Sequence, residues 1–442
     1  MKKQTTHIGN ALTPQQRRDA GQGIRKALHR QDHAKWSNKM RKAGPTGDPL
    51  ALLARSVKGR VPALVTLKYE RMLASPFGFY RGAVPVMAAD LALLPHTGIA
   101  NQLCGDAHVR NLGAYAGVDG RLVFDINDFD ETIYGPFEWD LKRMATSLVL
   151  AGREAKVRDS GCQDAVLAFA ERYRGYVRGF SQISVVEAAR FQVHRLHDVQ
   201  PVSDALLQAR RAVPKASLKQ LTVKDSHAKH RVFRKQPPLL YRVTGATAQQ
   251  VLDSLRAYRA TLLPERRHFL DQYRPIDVGF KVVGTGSVGL RDYVVYMEGN
   301  GPGDPLFLQI KEETPSAYAP YLKAATPAHD GQRVAEGQRA MQLQSDPFLG
   351  WTSIANRNYL VRQLNDHKGS INVNDLKGSG LIEYAELCGE LLARGHTRSG
   401  DACMLSGYLG NSARFDDALM NFATAYADQT ERDWQQLKKA RA

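Results

Sequence analysis

The sequence has no run of about 18 apolar residues, the length a helix needs to cross a bilayer. Its first residues, MKKQTTHIGNALTPQQRRDAG, carry charge with no apolar stretch behind it, so a secretory leader is not expected. Cysteine is scarce: the four present (Cys104, Cys162, Cys388, Cys403) form no C-x-x-C pair. That excludes a disulfide framework or cysteine zinc site and suits a cytoplasmic protein with reduced thiols. Acid is also short, with 44 Asp and Glu against 61 Lys and Arg, a formal net charge of +17. Such a balance attracts nucleotides, phosphorylated metabolites, nucleic acid or anionic lipid, unless it is only a solvated surface. Nucleic acid is the weaker expectation, because no recognised nucleic-acid module or RNP-type aromatic motif is present. No internal repeat is evident, and the 43% hydrophobic content is enough for a sizeable core.

The spacing of apolar residues divides the chain into five parts. Residues 1–45 read as a basic, partly helical and loosely attached arm. Residues 46–160 are helical around two short strands, Ile99–Leu103 and Arg121–Ile126, with a turn at Ser75–Ala83 and a helix over Phe137–Glu154. Residues 161–275 read as mostly helical and basic. Strands concentrate in residues 276–365: DVGFKVV, LRDYVVYM, LFLQIKEE, FLGWTSI and NYLVRQL, with a helix over Asp330–Gln344 between the third and fourth. Residues 366–442 return to helix, at Ile382–Arg394 and Ala413–Ala440.

The chemistry-bearing residues fall in two groups. In G-D-A-H-V-R-N, Asp106 and Asn111 lie five apart after a strand, and Asp125 ends the next strand. Phosphoryl transfer needs a carboxylate near the attacking hydroxyl and oxygen ligands for Mg²⁺ that bridge the phosphates. One loop can hold a base and a metal ligand at that spacing, and an aspartate from the adjacent strand can complete the metal site. The run DINDFDE also offers Asp128, which competes with Asp125 for that role, followed by Asp130 and Glu131. Carboxylates this crowded repel unless a cation neutralises them; the alternative is an acidic turn capped by Asn127 and Asp128.

The second group follows about 180 residues later. G-T-G-S-V-G, with Gly284, Gly286, Ser287 and Gly289, fits G-x-G-x-x-G, a motif that is weak alone. A dinucleotide-binding loop must open a helix, whereas LRDYVVYM has the β-branched and aromatic residues of a strand. A strand, a glycine turn and a strand make a hairpin able to cover phosphates. Lys311 then stands in an otherwise apolar third strand, and Glu336 on the next helix is its expected ion-pair partner.

Together these motifs resemble protein kinases and aminoglycoside phosphotransferases. The resemblance implies an α+β, bilobal, protein-kinase-like fold that binds ATP and Mg²⁺. Asp106 takes the catalytic-base role, Asn111 with Asp125 or Asp128 the metal-ligand role, and the glycine turn and Lys311 hold the phosphates. Asp140, in E-W-D-L-K-R, is similar to the helix aspartate that braces the catalytic loop, or is a helix-end carboxylate. Tyr359–Asp366 resembles the strand and hinge beside the adenine. The motif order is reversed, so the strand-rich nucleotide lobe would follow the catalytic loop as a circular permutation, which nearby termini permit. His396 and Asp401 could then reach the site edge, although an exposed helix end stopped by Gly395 is preferred. Arg71 and Arg81 either bind phosphate or, as preferred, pair with the acidic run.

Several ordered segments, among them RMLASPFGFYRG, CGDAHVRN, FDINDFDET, GPFEWDLKR, VGTGSVG and EGQRAMQ, resemble one bacterial family, domain of unknown function 2252, over about Pro49–Gln429. The expected activity is phosphoryl transfer to an unidentified hydroxyl acceptor, a small molecule or a protein. Transfer of AMP by the same fold, a pseudokinase and a basic nucleic-acid-binding protein are the alternatives.

Overall fold

The computed structural model describes residues 12–43, 47–117, 119–193, 199–224, 230–282, 284, 286–323, 326–364 and 369–441. It is a mixed α+β structure. Its main sheet has six antiparallel strands in the order Gly350–Ile354, Arg357–Gln363, Pro305–Glu313, Asp292–Glu298, Arg274–Lys281 and Leu240–Val243. Five of these are the strands expected from the alternating and β-branched runs. The sixth, Leu240–Val243, comes from a stretch read as helical, which also holds the short pair Thr222–Lys224 and Arg231–Phe233. Their half-exposed, Arg- and Lys-rich sequences give little period-2 signal, so pairing with neighbours decides them.

The sheet has its own apolar core, in which Val295, Leu308, Ile310 and Val361 meet Val251 and Tyr258 of helix Gly245–Thr261. Helix Asp330–Met341 packs on strands Gly350–Ile354 and Arg357–Gln363.

The larger core is helical and built from both ends of the chain. Helix Glu138–Glu154 is buried along most of its length, with Arg414–Arg441 and Asp159–Phe180 against it, and Ser379–Ser399 lies on Asp159–Phe180. Two short antiparallel pairs accompany it: Ala100–Leu103 pairs with Ile133–Pro136, and between them in the chain Leu112–Ala116 forms a hairpin with Leu122–Ile126.

Three expectations are corrected. Residues 12–43 are not loosely attached: helix Pro14–Ile24 lies against Ala402–Leu409, His33 is buried 2.8 Å from the Tyr408 hydroxyl, and Arg41 is buried between Asp90 and Asp433. Ser75–Ala83 is not a turn, since Ser75 caps a short helix, Pro76–Gly82, by accepting from the Gly78 N–H. The helix from Ser379 does not stop at Gly395 but runs to Ser399. Gly395 instead gives close approach, because a Cβ there would lie 2.9 Å from Met341 Cε.

Candidate active site

Three loops from distant parts of the chain line one cleft with a cavity volume of about 90 Å³. They are the Asp106–Asn111 loop, the acidic turn Asn127–Glu131, and the glycine turn at Gly284, Gly286 and Ser287. The glycine turn joins two antiparallel strands, Arg274–Lys281 and Asp292–Glu298, and opens no helix.

The Asp106 loop is held from behind. Asp140, on helix Glu138–Glu154, accepts the backbone N–H groups of Cys104 at 2.8 Å and Gly105 at 3.0 Å. It therefore braces the loop rather than merely sitting near a helix end. Gly105 has φ +81°, and a Cβ there would lie 2.1 Å from the Glu131 carbonyl oxygen, so only glycine fits. The Cys104-Gly105 pair thus packs the loop onto the acidic turn.

Asp106 carries its charge beside a buried cation. Arg143, one turn along the same helix, donates from Nε to Asp106 Oδ1 at 2.7 Å. Oδ2 receives no hydrogen bond from a described residue and lies 3.7 Å from His108 Nε2. Burial pushes the His108 pKa down to about 3, against the pull of Asp106, so the ring is neutral near pH 7.

Asn111 is buried and joins two loops. Its Nδ2 donates to the backbone carbonyls of Asp106 and Asp128, both at 2.9 Å. Its Oδ1 is buried without a donor, as are Oδ1 of Asp128 and Oδ1 of Asp130. Buried oxygens left bare in this way fit a cation. A divalent ion that also binds phosphates needs only one or two carboxylates from the protein. Among the described residues, no three His, Cys, Asp or Glu side chains are grouped to hold a metal without further ligands.

Asp125 is not in the cleft. It ends the strand Leu122–Ile126, is buried, and pairs with Arg394 of helix Ser379–Ser399. Burial raises its pKa, and Arg394 opposes the shift. Asp128 lies beyond the strand end, free of the alternation that points Asp125 into the helices, and lines the cleft. Of the two candidates, Asp128 is the one beside Asn111.

Lys311 is buried on strand Pro305–Glu313, as expected, but its partner is not Glu336. It pairs with Asp130, lies 3.7 Å from Asp128 Oδ1 and 4.0 Å from Glu313 Oε1. Glu336 is exposed and accepts from Gln332, because helix Asp330–Met341 turns Val334, Gln338 and Met341 inward and residues two apart face opposite ways. The same helix contributes Arg333 instead, donating to the carbonyls of Asp130, Thr132 and Thr314. The acids divide the lysine's charge unequally. Burial works against ionisation of Asp128, but Lys311 and Arg362 outweigh it and hold its pKa low. Burial and the Asp128 charge push Asp130 up, and burial pushes Glu313 well up.

Basic residues of helix Pro62–Leu73 and of the connection before it grip the glycine turn. Arg60 donates to the carbonyls of Gly286 (2.8 Å) and Val288 (2.6 Å), Lys68 to Gly286 (3.0 Å), and Arg71 to Gly284. Gly289, at φ +94°, lies with its α-carbon against the Arg60 side chain. Arg71 and Arg81 therefore do not pair with the acidic run. Arg60, Lys68 and Arg333 stand out in no motif of the sequence, and Arg143 lies inside E-W-D-L-K-R without a role being legible there.

Two further expectations are displaced. His396 is buried in the helical core between the Tyr173 hydroxyl (2.9 Å) and Asp140 (3.3 Å). Asp401 caps helix Ala402–Leu409 and pairs with Arg17 at 3.1 Å. The expected adenine hinge ends partly outside the described residues, which stop at 364 before resuming at 369.

No helix among the described residues is long and apolar enough to cross a membrane. No curated protein and no solved structure matches the chain. Residues 60–440 match the family described as "Uncharacterized protein conserved in bacteria (DUF2252)", and the chain belongs to that family.

Proposed function

We propose that the protein is an ATP- and Mg²⁺-dependent phosphotransferase with a circularly permuted, kinase-like arrangement of its nucleotide site. One observation carries this reading. The glycine turn and the Asp106–Asn111 loop, about 180 residues apart in the chain, line a single cleft with bare oxygens of Asn111 and Asp128 beside them. Strand, glycine turn, strand, lysine strand, helix and two strands also follow in that order along the chain.

Each side chain has a role in this reading. Asn111 and Asp128 would hold Mg²⁺, which would supply charge neutralisation for the nucleotide phosphates. Asp106, fixed through Oδ1 by Arg143, leaves Oδ2 to accept the proton of an acceptor hydroxyl. The hydroxyl oxygen forms a bond to the γ-phosphorus as the bond to the β–γ bridging oxygen breaks, and ADP leaves with that electron pair. Asp140 keeps the loop in place for this step. Lys311 neutralises the acidic turn through Asp130 and Asp128.

The test is incubation with Mg²⁺ and ATP labelled at either the γ- or the α-phosphate, using a pooled small-molecule extract as acceptor source. Transfer of γ-label, lost in Asp106→Asn, is the expected result. Transfer of α-label alone would replace phosphoryl transfer by AMP transfer, and transfer of neither would reject the enzymatic reading.

A further inference from the structure

Five cations converge on this cleft without a carboxylate within ion-pair distance among the described residues: Arg60, Lys68, Arg71, Arg81 and Arg110. Three of them spend hydrogen bonds on carbonyls of the glycine turn. Arg81 and Arg110 do not. Both line the cleft, and their guanidinium groups make no hydrogen bond to a described residue. Arg81 Nε is buried with no acceptor.

A half-buried guanidinium whose Nε is buried without an acceptor is costly, the Asp106 and Asp128 charges offset only part of that cost, and a hydrogen-bonding anion would remove the rest. The two groups also repel each other: burial and then Arg110 push the Arg81 pKa down to about 10. A doubly charged ligand relieves both penalties. A phosphate monoester carries a charge of about −1.5 to −2 and three acceptor oxygens, which suit two planar guanidinium forks.

Position assigns the anion to one side of the reaction. Arg110 lies on the same loop as Asp106, and Arg81 is influenced by the charges of Asp106 and Asp128. An anion held there is beside the proposed base, where an acceptor must present its hydroxyl. The nucleotide's own phosphates have the glycine turn, Lys311 and the metal.

We propose that Arg81 and Arg110 bind a phosphate monoester on the acceptor, so that the substrate is an already phosphorylated small molecule with a free hydroxyl. This rests on the phosphotransferase reading above.

The probe is inorganic phosphate, titrated calorimetrically into the full chain saturated with Mg²⁺ and a non-hydrolysable ATP analogue, so that the nucleotide's phosphate positions are filled. Wild type is expected to bind phosphate, and Arg81→Gln and Arg110→Gln each to weaken it at least ~10-fold. Both variants are expected to keep wild-type affinity for the analogue. Arg110 is exposed, so its variant tests the site without a packing change. Analogue binding without phosphate binding in wild type overturns this proposal alone. Equal loss of phosphate and analogue in the variants also overturns it, by giving the arginines to the nucleotide. Absence of analogue binding in wild type removes the phosphotransferase reading underneath, and the acceptor assignment with it.

Discussion

Lys311 is ion-paired to Asp130 although 181 positions separate them in the chain. The contact ties the six-stranded sheet to the acidic turn of the other half of the molecule. It also sets Asp128 and Glu313 around one buried ammonium. Removing that ammonium leaves buried carboxylates without a cation.

Lys311→Met is therefore expected to cost roughly 3–5 kcal/mol of stability near neutral pH, the range for breaking a buried pair from one side. Urea denaturation measures it. A loss below about 1 kcal/mol would mean that the acids are neutral or solvated without Lys311.

Asp125 and Asp128 separate by role. Asp125→Ala strands Arg394 in the helical core and is expected to cost several kcal/mol, on the order of 3–5, while Mg²⁺-dependent nucleotide binding survives in the folded fraction. Asp128→Ala is expected to keep the fold and lose the Mg²⁺ dependence. Paired melting curves and metal titrations decide between these assignments, and the opposite pattern would return the metal to Asp125.

Lys68 sets a pH dependence. Burial, then Arg60, pushes its pKa down to about 7 from the ordinary 10.5. Below about pH 7 both folded and unfolded chains hold the proton, and the burial penalty is fully present. Between the two values the unfolded chain binds more protons, so stability rises with pH. This group alone should add about 2 kcal/mol between pH ~7 and pH ~9. Lys68→Met should lack that increment, and identical pH slopes for the two proteins would show that the ammonium is not depressed.

Asp140→Ala leaves the N–H groups of Cys104 and Gly105 without their acceptor and frees the Asp106 loop. In the phosphotransferase reading, kcat falls on the order of 100-fold, because a small misplacement of a catalytic group is costly. Nucleotide affinity changes little. Loss of affinity with unchanged kcat would contradict the bracing role.

Much of this was legible from local pattern. The glycine turn, the lysine strand and helix Asp330–Met341 follow from β-branched runs, glycine spacing and helical periodicity, which are properties of short windows. The Lys311 partner was not legible, because Asp130 and Glu336 are equally acidic in sequence and only packing turns one inward. Asp125 and Asp128 compete on equal terms in the sequence, because only the strand alternation seen in the fold directs Asp125 away from the cleft. The cations on the glycine turn were invisible for another reason. A carbonyl accepts from any lysine or arginine that packing brings near, so Arg60 and Lys68 leave no motif.

The most direct measurement is calorimetric titration of ATP into wild type and Asp128→Ala, each with and without Mg²⁺. The account predicts that wild type binds ATP tightly only with Mg²⁺ and that Asp128→Ala binds weakly and equally in both conditions. Absence of ATP binding by wild type, or Mg²⁺-dependent binding that survives in Asp128→Ala, would contradict it.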